Sequence, residues 1–333
     1  MTEPSAPQPD LRAFAEPFCG MTWGWVGTRG TWNTDAARHS LDALESLGAN
    51  WIVLAYATLQ DTPQSTRVNA DAAPTLTDDE VRWGIREAKR RGWKVCLKPV
   101  VNVANGTWRG FISFFDRDVP GEPTWAEWFA SYGDFIVRHA RIAEDEGVDL
   151  FCVGCEMVMT DHREAEWRAL IARVREVYSG PITYNCDKYQ EDRVTWWDAV
   201  DVISASGYYP TGEWPAQLDR VEAVVLAHGK PFVFIEAGCP SRDTSPARPN
   251  DWTLAGEPSG DAQARYLDEM LRACADRAWV TGVALWDWPA ELYAPTDAAL
   301  NTDYCMYAKP GETVVRAAYR AALAGGAPPI SAS

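Results

Sequence analysis

The fold of this chain is decided by the stretch Asp149-Leu-Phe-Cys-Val-Gly-Cys-Glu-Met157. Its residues 150–153 are all apolar, which is typical of a strand buried on both faces of a parallel sheet. A single carboxylate, Glu156, follows where that strand should end. The same design recurs in Pro231-Phe-Val-Phe-Ile-Glu-Ala-Gly238, where Glu236 follows an apolar run. Because a buried carboxylate is destabilising unless it is paired or used, the two positions together indicate a facing pair.

Each of these two carboxylates has a structural alternative, because either Glu could form a salt bridge with a neighbouring helix. Paired carboxylates, however, are the catalytic groups of glycoside hydrolysis. The sequence therefore predicts a glycoside hydrolase in which Glu156 and Glu236 flank one glycosidic bond. If the mechanism retains the anomeric configuration, their carboxyl groups are expected to lie about 5–5.5 Å apart.

Composition narrows the class of protein and its partners. The 333 residues carry a formal net charge of -16, which disfavours nucleic acid and anionic membranes as partners. A content of 47% hydrophobic and 23% charged residues is typical of a globular protein with a large core. The 17 tryptophans are an excess that favours a carbohydrate ligand, because aromatic rings cover the apolar faces of sugars.

Targeting signals and metal motifs are not predicted. The first ten residues have neither a basic start nor an apolar run, so no signal peptide is expected, and no segment has the length of a transmembrane helix. Cys152 and Cys155 form a Cys-x-x-Cys, but no second pair or His cluster accompanies them. The sequence predicts a reduced, cytoplasmic protein without metal or cofactor, and it leaves the oligomeric state open.

Strand and helix patterns alternate along the whole chain. Besides the two strands that precede Glu156 and Glu236, six more are predicted, at 18–25, 51–56, 94–101, 182–186, 201–206 and 282–288. Eight strands alternating with helices predict an α/β protein, a parallel sheet closed into a single (β/α)8 TIM barrel. The barrel is expected over 17–325, between a disordered tail at 1–16 and a flexible tail at 326–333.

The two kinds of connection between these elements differ. Helix-to-strand connections are short and contain a glycine each, at Gly48, Gly92, Gly147, Gly180 and Gly229. Strand-to-helix connections are long and aromatic, above all 102–123, 239–259 and 289–311. In a (β/α)8 barrel the loops that follow the strands form the catalytic face. Both Glu156 and Glu236 are predicted to lie on that face.

Other strand ends carry candidate substrate-binding residues. Lys98 and Asn102 are placed at the end of the third strand, and a Lys in a barrel mouth is seldom structural. Trp23 and Trp25, late in the first strand, are predicted to stack on sugar, although they could instead close the bottom of the barrel. Asn185, which ends the fifth strand, is a further candidate.

The motifs at these strand ends resemble those of clan A glycoside hydrolases. Members of that clan have a catalytic Glu after strand 4, a nucleophilic Glu after strand 7, a Tyr after strand 6 and a Trp after strand 8. Within the clan, the chain resembles glycoside hydrolase family 113, known for β-mannanases. The resemblance is carried by Phe151-Cys-Val-Gly-Cys-Glu156, Gly207-Tyr-Tyr-Pro210 and Phe234-Ile-Glu-Ala-Gly238.

The resemblance implies a role for each matching residue. Glu156 is expected to be the acid/base and Glu236 the nucleophile, with Tyr208 hydrogen-bonded to the nucleophile and Trp286 as the floor under the sugar. Most of the clan has Asn before the acid/base, where its amide holds the sugar 2-hydroxyl. This chain has Cys155 there, a poor hydrogen-bond donor. The exchange suits a substrate whose 2-hydroxyl points elsewhere, as the axial one of mannose does.

The sequence and the resemblance together predict a retaining β-glycoside hydrolase acting on β-1,4-linked mannose-containing oligosaccharides. Two alternatives stay open: the same mechanism on another sugar, as in a β-glucosidase, β-galactosidase or xylanase, and a non-catalytic sugar-binding barrel, which would need one carboxylate to be missing. A metal-dependent barrel hydrolase would need a His/Asp cluster, which four scattered His do not supply. The expected location inside the cell favours short oligosaccharides over polymeric mannan.

Overall fold

The computed structural model describes residues 14–25, 27–253 and 255–325. Eight parallel strands form a closed barrel in which each strand pairs with its neighbour in sequence and β8 pairs with β1. The predicted (β/α)8 TIM-barrel fold is thereby confirmed. The strands are β1 (Phe18–Trp23), β2 (Trp51–Gln60), β3 (Lys94–Val103), β4 (Leu150–Cys155), β5 (Ile182–Cys186), β6 (Val202–Gly207), β7 (Phe232–Ala237) and β8 (Val280–Trp288).

Helices surround this barrel. The described ranges contain seven α-helices: α1 (Asp35–Glu45), α2 (Asp78–Arg90), α3 (Trp125–Asp145), α4 (Glu164–Arg175), α5 (Trp214–His228), α6 (Gly260–Ala275) and α7 (Pro310–Leu323). Between β5 and β6 a one-turn 3₁₀ helix at Trp197–Ala199 stands where an α-helix would otherwise be. In the part of the chain that the structure describes, no helix is long and apolar enough to cross a membrane. Residues 1–13 and 326–333 of the two expected tails lie outside the described residues.

The barrel has an inner core that is closed at its N-terminal end. Phe18 and Trp51 begin β1 and β2, and their rings stack with centroids 4.4 Å apart. Phe14 packs against Trp51 from below at 4.7 Å. Burying each such aromatic side chain stabilises the fold by about 1.5–3 kcal/mol. Because this end is filled with apolar side chains, polar groups inside the barrel can reach solvent only at the opposite, C-terminal mouth.

The third strand runs further than the sequence pattern predicted. Its pairing with β2 continues to the contact of Gln60 with Val103, whereas the predicted strand covers 94–101. The additional residues include β-branched Val, which favours extended backbone. Lys98 therefore lies in the middle of β3, below the mouth, and Asn102 occupies the rim.

The long loop after β3 ends in a capping box. Thr124 Oγ1 accepts a hydrogen bond from the backbone N–H of Glu127 at 3.2 Å, and Glu127 Oε2 accepts one from the backbone N–H of Thr124 at 2.9 Å. This reciprocal pair satisfies two N–H groups at the start of α3. The loop between Val103 and Thr124 is thus held at both ends, and it carries a one-turn 3₁₀ helix, Arg109–Phe111.

Candidate active site

The two predicted carboxylates both lie at the C-terminal mouth of the barrel. Glu236 is the second-last residue of β7, and Glu156 directly follows β4. Only 5% of Glu236 and 7% of Glu156 is exposed. Cys155 connects them, because it precedes Glu156 in the chain and its Sγ lies 3.8 Å from Glu236 Oε2. The mouth thus holds two nearly buried carboxylates that share one neighbour.

Glu236 is held by a cation and a hydroxyl group. Lys98 Nζ donates to Glu236 Oε2 at 2.6 Å, and the Tyr208 hydroxyl donates to Oε1 at 2.8 Å. Burial by itself would raise the pKa of Glu236, but the charges of Lys98 and Arg109 and the two hydrogen bonds lower it below its usual range. Burial alone would lower the pKa of Lys98, yet the charge of Glu236 raises it above its usual range. Both pKa shifts favour the charged form, so Glu236 and Lys98 form a fully ionised pair.

Glu156 is placed by an irregular backbone. Its φ angle is +52°, in the left-handed region that non-glycine residues rarely adopt, and its backbone N–H donates to the carbonyl of Asn185 at 2.7 Å. The pairing of β4 with β5 shifts register just before this point. The strain of a left-handed residue, about 1–3 kcal/mol, is typical of positions that the surrounding structure fixes for function.

The Glu156 carboxylate accepts hydrogen bonds from three side chains. Arg109 Nη2 donates to Oε2 at 2.6 Å, and Trp108 Nε1 lies 3.4 Å from the same oxygen. Ser206 Oγ lies 2.7 Å from Oε1. Arg109 also donates to the carbonyl of Cys155 at 3.0 Å. The acid/base candidate thus has a cation of its own, supplied by the loop after β3.

A continuous hydrogen-bond path joins the two carboxylates. Besides Glu236, Lys98 Nζ contacts Asn185 Oδ1 at 3.2 Å, Asn185 Nδ2 contacts Ser206 Oγ at 2.9 Å, and Ser206 contacts Glu156. Because an ammonium group can only donate, Lys98 fixes which end of the Asn185 amide is the acceptor. The direction of every bond on the path then follows: Lys98 donates to Glu236 at one end, and the other three bonds are each donated toward Glu156.

Aromatic side chains flank both carboxylates. Trp286, at the end of β8, has its ring 5.4 Å from Lys98 Nζ and 5.1 Å from the half-buried ring of Trp25. Trp108 and Phe111, which are 38% and 56% exposed, pack edge to face beside Glu156. A polar mouth with aromatic walls suits a sugar, which presents hydroxyl groups at its edge and apolar patches on its faces.

The predicted site residues divide into those at the mouth and those below it. Tyr208, Trp286, Trp25 and Asn102 lie at the mouth; Asn102 Oδ1 accepts from Arg109 Nη1 at 3.1 Å. Their roles toward substrate stay predictions. Cys155 also lies there, buried between the carboxylates.

The predicted stacking of Trp23 on sugar is wrong. Its side chain is fully buried outside the barrel, where Nε1 donates to Ser40 Oγ at 3.1 Å and the ring packs 4.9 Å from that of Trp32. Side chains of a strand alternate between the two faces, and Trp23 falls on the face that contacts α1. Trp25 escapes this alternation because Gly24, with φ +92°, ends the strand between them.

Lys98 and Asn185 are also placed differently from the prediction. Both side chains are fully buried: Lys98 contacts Glu236 and Asn185, and Asn185 contacts Lys98 and Ser206. The strand continues past Lys98 and covers it, which is why a position predicted at the strand end lies below the surface. Their contact with sugar stays a prediction.

Two residues at the site were missed from the sequence. Arg109 lies in a long irregular loop, where no periodic pattern marks a functional side chain. Ser206 could have been found from the sequence, because it directly precedes the Gly207-Tyr208 motif. In the structure it pairs in register with Glu236 across β6 and β7. Among the residues that the structure describes, no group of three or more His, Cys, Asp and Glu could hold a metal ion.

The closed barrel and the carboxylate pair at its mouth define a barrel glycoside hydrolase. A model of Glycoside Hydrolase Family 113 matches residues 21–309, so the chain belongs to this family and is a glycoside hydrolase. The resemblance seen in the strand-end motifs is thereby confirmed. A search of curated proteins by sequence finds no match.

Solved structures of the same family are similar over almost the whole chain. A β-1,4-mannanase of family 113 solved as a complex is 49% identical with a TM-score of 0.90, covering 92% of this chain and 99% of that chain. The β-mannanase AaManA from Alicyclobacillus acidocaldarius, in complex with ManMIm, is 43% identical with a TM-score of 0.89, covering 92% and 98%. A β-glucuronidase from Faecalibacterium prausnitzii, 12% identical with a TM-score of 0.61, covers 92% and 49% and shares the fold alone.

Proposed function

We propose that this protein hydrolyses β-1,4-linked mannose chains with retention of anomeric configuration, using Glu236 as nucleophile and Glu156 as acid/base. The observation that carries the proposal is that the mouth holds two nearly buried carboxylates, each paired with its own cation. The expected separation of about 5–5.5 Å between the carboxyl groups stays a prediction.

In the first step Glu236 attacks the anomeric carbon of the sugar. A bond forms between that carbon and a Glu236 oxygen, the bond to the leaving oxygen breaks, and the leaving oxygen takes a proton from Glu156. Lys98 and Tyr208 orient the attacking carboxylate, and Lys98 keeps it ionised. The product of this step is an α-linked glycosyl ester of Glu236.

In the second step water hydrolyses this ester. Glu156, now ionised, takes a proton from the water as its oxygen attacks the anomeric carbon, and the bond to Glu236 breaks. Two displacements at the same carbon restore the β configuration. Since Glu156 must hold a proton in one step and accept one in the other, its surroundings have to tolerate both forms.

Two observations support mannose as the sugar. The family 113 structures that share 43–49% identity with this chain are β-mannanases. In addition, Cys155 stands where a carboxamide would hold an equatorial 2-hydroxyl. Burial raises the pKa of the Cys155 thiol well above its usual range, so it stays a neutral, weak donor that suits an axial hydroxyl.

A cytoplasmic location belongs to the same proposal. All eight cysteines are free thiols in the structure, as expected for a reducing compartment.

The test compares β-1,4-linked manno-, gluco- and xylo-oligosaccharides of equal length, together with polymeric mannan. We expect kcat/KM to be highest on the manno series and the first product, followed by NMR, to be the β anomer. An α anomer as first product would mean inversion and would refute the assigned mechanism. Faster cleavage of the gluco or xylo series would refute mannose as the preferred sugar. A rapid fall in the viscosity of mannan would indicate mid-chain cuts and would contradict the preference for short oligosaccharides.

A further inference from the structure

The carboxylate of Glu156 is surrounded by hydrogen-bond donors. Arg109 and Trp108 carry nitrogens that can only donate, and both face Oε2. Ser206 has a single hydroxyl proton, and its Oγ already accepts from Asn185, so this proton points to Oε1. Each of these side-chain partners of Glu156 therefore presents a proton to it. Such an arrangement fits the ionised carboxylate, which can only accept hydrogen bonds.

The acid step requires the opposite form of the same group. A protonated Glu156 would direct its O–H toward the leaving oxygen, and that oxygen must face the open cleft. Oε1 lies against buried Ser206, whereas Oε2 faces Arg109 and the half-exposed Trp108. Oε2 is therefore the oxygen that meets the leaving group, and Arg109 occupies its hydrogen-bonding position in this structure.

Arg109 is carried by a loop, and its other hydrogen bonds anchor it to the C-terminal ends of β3 and β4. It begins the one-turn 3₁₀ helix in the loop after β3, and 11% of its side chain is exposed. Its remaining donors bind the carbonyl of Cys155 at 3.0 Å and Asn102 Oδ1 at 3.1 Å. Because these anchors use Nε and Nη1, the bond from Nη2 to Glu156 Oε2 can be exchanged for one from the sugar while the anchors stay in place.

We propose that Arg109 is a positioning residue that holds Glu156 ionised for the water-activating step. This inference rests on the proposed function. The sugar on the leaving-group side takes the place of Arg109 at Oε2 for the acid step. Trp108 and Phe111, which flank Arg109 in the same loop, lie on that side of the cleft because Trp108 contacts Oε2.

Other charged groups also face Glu156 and can affect the measured pH profiles. Glu236 and Lys98 lie across the mouth and offset each other's charge. Asp187 follows β5, and burial together with the charge of Glu156 raises its pKa to about 7. Because Asp187 titrates in the range of interest, the pH profiles are measured in both the natural protein and an Asp187→Asn background.

The experiment uses Arg109→Met, which removes the charge, and Arg109→Lys, which keeps one. On mannotetraose, whose leaving group needs an acid, the alkaline limb of the kcat/KM profile should move to higher pH by about one unit in Arg109→Met. On 2,4-dinitrophenyl β-mannobioside, kcat is set by the base-assisted second step. The acid limb of its pH profile should move to higher pH by a similar amount. Arg109→Lys should keep both limbs near those of the natural protein.

A purely structural role for Arg109 would give another result. Both limbs would stay in place while rates on the two substrates fell by one common factor, and this outcome would overturn the inference. If Arg109→Met does not fold, Asn102→Ala decides the matter. It loosens one anchor of Arg109 and should shift both limbs in the same direction by a smaller amount. If the natural protein cleaves neither substrate, the proposed function itself fails, which is a separate result.

Discussion

The two carboxylates at the mouth are equally buried but are supported by different parts of the fold. Glu236 lies within β7 and receives its cation, Lys98, from the middle of β3. Glu156 lies just beyond β4 with a left-handed backbone and receives its cation, Arg109, from a loop. Lys98 is thus fixed by its own strand, whereas Arg109 comes from a loop and is anchored to Asn102 and Cys155 by hydrogen bonds.

This difference matches what each group would have to do in the proposed mechanism. A nucleophile must be ionised whenever substrate binds, and the fully buried ammonium of Lys98 provides that state permanently. The proposed acid/base would change its protonation state twice in each turnover, so a partner that always favoured the ionised form would oppose its acid role. The site thus has one half with a strand-borne cation and another half with a loop-borne cation.

Replacing the nucleophile should have the largest effect. Glu236→Ala should lower kcat by at least about 10⁴-fold on every substrate, regardless of leaving group, because no ester can form. Azide should restore turnover by attacking directly and should yield an α-glycosyl azide. A β-glycosyl azide from this variant would show that the two roles are assigned the wrong way round.

Replacing the acid/base should give a loss that depends on the leaving group. Glu156→Ala should lower kcat/KM on mannotetraose by about 10²–10⁴-fold, while 2,4-dinitrophenyl β-mannobioside should still form the ester and then accumulate it. Azide should release this ester as a β-glycosyl azide. An equal loss on both substrates would remove the distinction between the two carboxylates.

Removing the fixed cation should affect the pH profile of the nucleophile. Lys98→Met leaves Glu236 buried without its ion pair, so the pKa of Glu236 rises and the acid limb of kcat/KM should move up by about 1–3 pH units. The measurement is a kcat/KM profile from acid to neutral pH. Lys94→Met is the control, because Lys94 starts the same strand at the opposite end, near Trp51, and should leave the limb unchanged. An unmoved limb in Lys98→Met would show that Lys98 does not control the ionisation of Glu236.

The smallest effect is expected from the path between the carboxylates. Ser206→Ala removes the donor to Glu156 Oε1 and leaves Asn185 Nδ2 without its acceptor on Ser206, which should reduce the free energy of unfolding by about 1–3 kcal/mol. Activity on mannotetraose should fall about tenfold, with little change on the dinitrophenyl substrate. Urea unfolding and the two kcat/KM values test this. A loss as large as that of Lys98→Met would mean that both halves of the site depend equally on this path.

The sequence was sufficient for the barrel and for its two carboxylates because these depend on local patterns. Apolar runs of strand length, glycine at helix ends and the long loops after strands are all readable within a few residues. The same local patterns failed at Trp23 and Lys98. The face on which Trp23 lies and the depth of Lys98 depend on where each strand really begins and ends, and strand bounds are only weakly encoded by propensity.

The sequence by itself determined that Glu156 and Glu236 follow buried apolar runs and that both lie toward the same end of a parallel barrel. Only the tertiary structure decided which side chains surround them. Lys98 and Glu236 are 138 positions apart, and Arg109 and Ser206 are 47 and 50 positions from Glu156. Contacts of that range are set by closure of the barrel and by the path of one irregular loop, neither of which leaves a periodic signal in the chain.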